Sequence, residues 1–125
     1  MNRPHILIVD DEPNIVMSLE FLMRKSGYQV SIARNGTEAL EAVDRVRFDV
    51  VLLDIMMPDV DGYQVCQHIK RGGAQPAAKV VFLSAKSKDS DVIKGYEVGA
   101  DLYIPKPFST RLLMEKVKEL LAAPA

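Results

Sequence analysis

Three short stretches of this sequence, residues 6–9, 50–53 and 79–83, are apolar almost without interruption. A strand with one face in water alternates polar and apolar residues, whereas a strand of a parallel sheet covered by helices on both faces does not. These stretches therefore predict a parallel sheet that is buried on both sides. Residues 28–33 and the short segment 102–104 have the composition of two further strands.

The segments between the predicted strands have helical periodicity. Pro13 suits the first turn of a helix, Gly27 suits its end, and Ser109 can cap the last helix. The apolar residues that recur at helical spacing form one group for each of five predicted helices: Ile15, Leu19, Leu22 and Met23; Ala39, Leu40, Val43 and Val46; Val65, Cys66 and Ile69; Val92, Ile93 and Tyr96; Leu112, Leu113, Val117, Leu120 and Leu121.

Five strands that alternate with five helices predict an α/β fold, an open five-stranded parallel sheet with helices on both faces. The chain has 125 residues, the size of one domain, and we expect residues 1–125 to form it. Ligands of such folds bind at the carboxyl ends of the strands, beside the point where the strand order reverses.

Composition excludes several classes of function. The net charge of -1, from 16 basic and 17 acidic side chains, gives this domain no electrostatic reason to bind nucleic acid. The single cysteine, Cys66, excludes an internal disulfide and fits a reducing compartment. No apolar run approaches the roughly 20 residues that span a bilayer, and no signal peptide is evident. We therefore expect a soluble, cytoplasmic protein without membrane partners.

Polar side chains follow the predicted strands where parallel strands would bring them to one edge of the sheet. They are Asp10, Asp11 and Glu12 after the first strand, Asp54 after the third, Ser84 at the end of the fourth, and Lys106 after the fifth. The carboxylates of the three aspartates, a hydroxyl and an ammonium group are thus expected to converge.

Asp54 lies in the stretch VVLLDIMMP, where no neighbour in sequence can compensate its charge. Adjacent carboxylates repel one another, and a hard divalent cation such as Mg²⁺ removes that repulsion. Mg²⁺ also accepts phosphate oxygens as ligands, and carboxylates act as phosphoryl acceptors. The pattern therefore predicts a site that presents Asp54 to a phosphoryl group, with Lys106 and Ser84 contacting the phosphoryl oxygens.

The segments ILIVDDE, VVLLDIMMPDVDG, VVFLSAK and GADLYIPKPF, in this order and spacing, resemble the receiver domain of two-component response regulators over essentially the full chain. The resemblance implies a flavodoxin-like three-layer fold with strand order 2-1-3-4-5. It also implies a domain that takes phosphate from a histidine kinase or phosphotransfer protein onto an aspartate.

The resemblance assigns roles to the residues around the aspartate. Asp54 is similar to the phosphoacceptor, Asp11 to a direct Mg²⁺ ligand, and Asp10 to a ligand that acts mainly through water. The backbone carbonyl of Met56 would supply a further ligand.

The same resemblance implies a switch. Ser84 and Tyr103 are similar to the switch pair, Lys106 is similar to the lysine that contacts phosphate, and the Lys106–Pro107 bond is expected to be cis. Phosphorylation would change the face formed by the fourth helix, fifth strand and fifth helix, and so control a protein partner, an effector domain or homodimerisation. Catalysis by the domain would be limited to its own phosphorylation and dephosphorylation, so it is not expected to be an enzyme.

Two positions depart from patterns common in the family. Ser84 stands where threonine is also common, and the hydroxyl is retained. The dipeptide Asp101-Leu102 stands where the winged-helix transcription factors often have an acidic pair, which argues against the salt-bridged dimer of that branch.

Other interpretations remain open at the level of sequence. Asp10 and Asp11 also suit the cap of the first helix, and Tyr103 suits half-buried core as well as a moving switch. Cys66 and His68 are too few and too close together for a zinc site, so packing and surface roles are expected.

Rival functions fit the sequence less well. A phosphatase with an aspartyl intermediate needs an acid/base, commonly two residues after the nucleophile, where this chain has Met56. A flavodoxin-like small-molecule binder needs a Gly-, Ser- or Thr-rich loop where this chain has DDEPN, and the intact acidic set argues against a degenerate scaffold.

Overall fold

The computed structural model describes residues 3–123, so the first two and last two residues of the predicted domain 1–125 lie outside the described residues. Strands and helices alternate along this part of the chain. The strands are β1 (His5–Val9), β2 (Gln29–Ala33), β3 (Val50–Leu53), β4 (Lys79–Ser84) and β5 (Leu102–Pro105). The helices are α1 (Pro13–Lys25), α2 (Gly36–Arg45), α3 (Gly62–Lys70), α4 (Asp89–Glu97) and α5 (Thr110–Ala122).

The five strands form one parallel sheet in the order β2-β1-β3-β4-β5, which confirms the predicted flavodoxin-like order. The chain starts in β1, moves outward to β2, and then crosses back to β3 on the other side of β1. The order therefore reverses between β1 and β3, and the carboxyl ends of these two neighbours lie side by side.

Side chains from alternate strand positions build a separate core on each face of the sheet. One core joins the sheet to α2 and α3 and includes Leu7, Val51 and Phe82. The other core joins the sheet to α1 and α5 and includes Ile8 and Leu52. Complete burial of β3 and near-complete burial of β1 and β4 explain why these strands show no alternation in sequence.

Local signals set the helix boundaries near the predicted positions. Pro13 occupies the first turn of α1, and Gly27 follows the helix with a φ of 90° that favours glycine. Asp61 and Gln64 form a reciprocal capping box at the start of α3, and the Ser109 side chain accepts a hydrogen bond from Leu112 N at the start of α5.

The fourth helix differs from its predicted apolar stripe. Of the described residues of α4, the buried one is Gly95, while Ile93 is 58% and Tyr96 is 46% exposed. A Cβ atom on Gly95 would lie 2.7 Å from the Tyr103 ring, so the glycine lets α4 approach β5 closely. The apolar contact of this helix with the core is therefore narrow, with Gly95 buried and Val92 partly buried.

In each outer strand of the sheet, a side chain forms a hydrogen bond with a backbone group of that strand. At the β5 edge, the Tyr96 hydroxyl accepts a hydrogen bond from the Tyr103 backbone N–H at 3.1 Å. At the β2 edge, the Arg24 guanidinium donates to the Val30 carbonyl at 3.4 Å. Over residues 3–123, none of the helices has the length and apolar character required to cross a membrane.

Candidate functional site

Asp10 and Asp54 each extend the sheet by one residue beyond the carboxyl end of a strand. The Asp54 N–H donates to the Val9 carbonyl at 2.9 Å, and the Asp10 N–H donates to the Ala33 carbonyl at 3.2 Å. These bonds fix both backbones at one edge of the sheet. The two residues are only 2% and 5% exposed, so their carboxylates need compensation from nearby groups.

Lys106 supplies a positive charge to this pair and to Glu12. Its Nζ lies 2.9 Å from Asp10 Oδ2, 3.4 Å from Glu12 Oε1 and 3.9 Å from Asp54 Oδ2. The lysine reaches the cluster because β5 ends at the same edge as β1 and β3, and its own N–H donates to the Ser84 carbonyl at 2.7 Å. The structure thus brings Asp10, Asp54 and Lys106 together at this edge.

Burial dominates the electrostatics of Asp54. Loss of solvent raises the pKa of its carboxyl from 3.8 to about 6, the positive charge of Lys106 opposes the shift, and the negative charge of Asp10 adds to it. The Ile55 N–H donates to Asp54 Oδ1 at 2.8 Å and favours the ionised form. Burial alone would lower the pKa of Lys106, but its hydrogen bond with Asp10 and the nearby acidic charges raise it above its ordinary value.

The donor set fits a small, hard divalent cation. Among the described residues, carboxylate oxygens of Asp10, Glu12 and Asp54 all lie within 4.8 Å of one another. Oxygen donors of this kind suit Mg²⁺, whose charge would offset the mutual repulsion of the acids. These three residues are therefore the structural candidates for holding such an ion.

Two predicted ligands lie beside this group. Asp11 is exposed, and it lines a cavity of about 450 Å³ together with Met56, Tyr63 and Lys86. The Met56 side chain is 59% exposed. Glu12, which the predicted ligand set omitted, occupies the cap position of α1 and turns towards Lys106. In the sequence, the position of Glu12 directly after Asp10-Asp11 is the signal that could have identified it as part of the site.

Ser84 and Tyr103 both contact the segment after β4. Ser84 is fully buried, and its hydroxyl accepts a hydrogen bond from the Lys86 N–H at 3.1 Å. The Tyr103 hydroxyl donates to the Lys86 carbonyl at 2.7 Å, and its ring is buried with its centroid 5.8 Å from that of Phe82. Burial raises the pKa of Tyr103 above its ordinary value. The two predicted switch residues are therefore linked through Lys86.

Three further predictions are settled by position. The Lys106–Pro107 bond is cis, as predicted. Cys66 is buried in the core with its Sγ directed to the Val98 carbonyl, and His68 pairs with Asp44 between α3 and α2. Their packing and surface roles agree with the sequence.

Asp59, which the sequence did not single out, connects the loop after β3 to the start of α2. Its carboxylate accepts hydrogen bonds from the backbone N–H groups of Gly36 and Thr37 and from the Thr37 hydroxyl. These bonds hold the pKa of Asp59 well below its usual range. The loop that carries Met56 is therefore fastened to a neighbouring helix.

Comparisons with known proteins agree with this arrangement. The family model for the response regulator receiver domain matches residues 6–118. The chain is similar to the structure of a CheY-like response regulator receiver domain protein from Methanospirillum hungatei, with 32% identity, a TM-score of 0.91, and coverage of 96% of this chain and 94% of that one.

Two other solved structures are also similar to this chain, and one of them belongs to a longer chain. DrrB, an OmpR/PhoB homolog from Thermotoga maritima, is 36% identical with a TM-score of 0.86, over 95% of this chain and 52% of that one. The signal receiver domain of a signal transduction histidine kinase from Syntrophus aciditrophicus is 35% identical with a TM-score of 0.88, over 95% of this chain and 90% of that one.

Proposed function

Because this chain belongs to the response regulator receiver domain family, we propose that it is a signalling switch that accepts a phosphoryl group on Asp54. The donor is the phosphohistidine of a histidine kinase or phosphotransfer protein. One observation carries the proposal: Asp54 lies buried at the strand ends among Asp10, Glu12 and Lys106, which is an arrangement suited to a transferring phosphoryl group.

The chemistry assigned to the chain is a displacement at phosphorus. A carboxylate oxygen of Asp54 forms the new P–O bond, and the P–N bond of the donor breaks. The electron pair stays on the imidazole nitrogen, which takes a proton from water. Asp54 Oδ1 is held by the Ile55 N–H, while Oδ2 faces the Lys106 ammonium at 3.9 Å. Oδ2 is therefore our candidate nucleophile.

Neighbouring groups stabilise the charge that develops on the phosphoryl oxygens. Lys106 is close enough to Asp54 to contact them, and the Ser84 hydroxyl, which accepts from the Lys86 N–H, can donate its own hydrogen to them. Mg²⁺ held by the carboxylates would supply further neutralisation of phosphoryl charge. The proposed ligand set is Asp10, Asp11, Asp54 and the Met56 carbonyl. Glu12, which lies close to Asp10 and Asp54, is a fourth carboxylate beside this set.

The proposed output is a change in the face formed by α4, β5 and α5. Ile93, Tyr96 and Leu112 are large apolar side chains that are 58%, 46% and 44% exposed, which suits contact with a partner, an effector domain or a second copy. Ser84 and Tyr103 connect this face to the site through Lys86. This domain is not expected to contact nucleic acid, since its net charge is -1.

The direct test is labelling by a small phosphoryl donor. With acetyl phosphate and Mg²⁺, the intact mass of the chain should rise by one phosphoryl group, because the cation offsets the charge that otherwise repels the donor. EDTA should suppress the product. Equal labelling with and without EDTA would contradict the role assigned to the carboxylate cluster.

The link from Ser84 to Tyr103 predicts separable variants. Ser84→Ala and Lys106→Arg should still bind beryllofluoride, a phosphoryl mimic, because Asp54 and the other acids remain. They should respond weakly at the output face, since the charge-assisted hydrogen bond of Ser84 or the compact ammonium is lost. Amide NMR should show shifts confined to the loop after Asp54. Shifts of wild-type size across residues 87–106 in both variants would mean that coupling follows another route.

A further inference from the structure

Asp59 forms a brace between two elements that are distant in sequence. We define the Asp59 brace as Asp59 together with Gly36 and Thr37 at the start of α2. Asp59 Oδ1 accepts from Gly36 N at 3.0 Å, and Oδ2 accepts from Thr37 N at 2.9 Å and from the Thr37 hydroxyl at 2.5 Å. One carboxylate thus satisfies two backbone N–H groups of the first helical turn, which have no partner within the helix.

Close backbone packing supports the Asp59 brace. A Cβ atom on Gly36 would lie 2.2 Å from the Val60 carbonyl oxygen, a distance that no side chain tolerates. Glycine at this position lets the loop after β3 rest directly on α2. Any larger residue must push Val60 and its neighbours away from the helix.

The braced loop is the one that carries the proposed cation ligand. It leaves the sheet at Asp54 and returns at Gly62, whose N–H donates to the Ile55 carbonyl at 2.9 Å. Between these ends, Met56 and Pro58 are exposed. The Asp59 brace fixes the far side of the loop while the sheet fixes its near side.

We propose that Asp59 is a positioning residue that sets the affinity of the site for a divalent cation without being a ligand. The inference rests on the proposed function, because it concerns the cation expected at the proposed ligands, Asp10, Asp11, Asp54 and the Met56 carbonyl. Mg²⁺ tolerates little departure from octahedral geometry, so a shift of the loop that presents one ligand weakens binding. Groups that hold ligands in place typically contribute tenfold or more to metal affinity.

The effect of the loop position on Mg²⁺ affinity can be separated from the effect of charge, because two members of the Asp59 brace, Gly36 and Thr37, are uncharged. Asp59→Ala removes both the brace and a negative charge. Gly36→Ala displaces the loop and Thr37→Val removes one hydrogen bond, and neither changes the charge of the chain. Asp44→Ala is the matched control, because Asp44 is an exposed carboxylate of α2 that bonds to His68 of α3 and lies outside the brace.

The experiment is a titration of the unphosphorylated protein with MgCl₂, followed by the amide NMR signals of Asp54 and Ile55. Gly36→Ala and Asp59→Ala should bind Mg²⁺ about tenfold more weakly than wild type. Thr37→Val should lose roughly twofold to fivefold, as expected for one hydrogen bond. Asp44→Ala should match wild type. Repetition in about 0.5 M KCl, which screens long-range charge, should preserve the loss in Gly36→Ala.

Thermal unfolding in EDTA shows which variants are folded. If Gly36→Ala is unstable, the milder change Thr37→Val still tests the inference. Wild-type Mg²⁺ affinity in folded Asp59→Ala and Thr37→Val would overturn the inference. A loss equal in Asp44→Ala and Asp59→Ala would assign the effect to net charge and overturn it as well. Absence of Mg²⁺ binding by the wild-type chain would instead refute the cation site of the proposed function.

Discussion

Asp54→Asn is expected to abolish the phosphoryl adduct that the wild-type chain forms with acetyl phosphate and Mg²⁺. The amide oxygen of asparagine is a poor nucleophile, while the surrounding Asp10, Glu12 and Lys106 remain in place. Intact-mass measurement over the time course of wild-type labelling checks the result. Asp44→Asn, at an exposed carboxylate of α2, should label like wild type. An adduct of wild-type yield on Asp54→Asn would move the acceptor to another residue.

The same substitution should stabilise the fold at neutral pH when EDTA is present. The pKa of Asp54 is about 6 in the folded protein and 3.8 in the unfolded reference, so the folded state holds this proton more firmly. The contribution of Asp54 to stability is therefore greatest below about pH 4 and is lost as the pH rises from about 4 through 6. Asparagine removes this loss, so Asp54→Asn should exceed wild type by roughly 1–3 kcal/mol at pH 7.

Urea unfolding at two pH values measures this effect. The advantage of Asp54→Asn should shrink towards zero near pH 4, where the wild-type carboxyl is protonated in the folded protein. Asp44→Asn should show no comparable gain. An advantage of the same size at both pH values would mean that side-chain packing, and not the buried charge, sets the difference.

Phe82→Ala is expected to cause the largest loss of stability among substitutions away from the site. Phe82 is fully buried in β4, and its ring lies 5.6 Å from Tyr63 and 5.8 Å from Tyr103, centroid to centroid. Truncation leaves a cavity between α3, α4 and the sheet and costs about 3–5 kcal/mol. The melting temperature should fall by roughly 10–20 °C, as measured by circular dichroism.

The control for this loss is the same substitution at an exposed position. Phe21 in α1 is 65% exposed, and its described ring contact is with Lys25 at 5.9 Å. Phe21→Ala should change the free energy of unfolding by less than about 0.5 kcal/mol. Similar losses in Phe82→Ala and Phe21→Ala would show that the described cores do not limit stability.

The order of elements and the location of the site follow from short-range patterns. Uninterrupted apolar runs identified β1, β3 and β4 because burial on both faces leaves no polar positions in them. Once the strands are parallel, residues after each strand must share an edge, so Asp10, Asp54 and Lys106 could be grouped without knowing a distance. The resemblance to a family supplied the strand order.

Features that depend on side-chain direction or on pairs distant in sequence were not predictable in this way. Asp11 and Glu12 are adjacent acids, and the turn into α1 decides which of them reaches Lys106. The Asp59 brace joins residues 22 and 23 positions apart, and no periodic pattern encodes such a pair. The sparse burial of α4 arises because Gly95, an undistinguished glycine in sequence, provides its close contact with Tyr103.

The covered edge of β5 restricts how copies of this chain can associate. A strand added from a second molecule needs free backbone donors along the edge it joins. At β5, the Tyr103 N–H is already bonded to the Tyr96 hydroxyl, and Pro105 has no N–H to offer. Extension of the sheet into a continuous intermolecular ribbon is therefore disfavoured at this end. At this edge, contacts between copies should therefore use side chains and not backbone pairing.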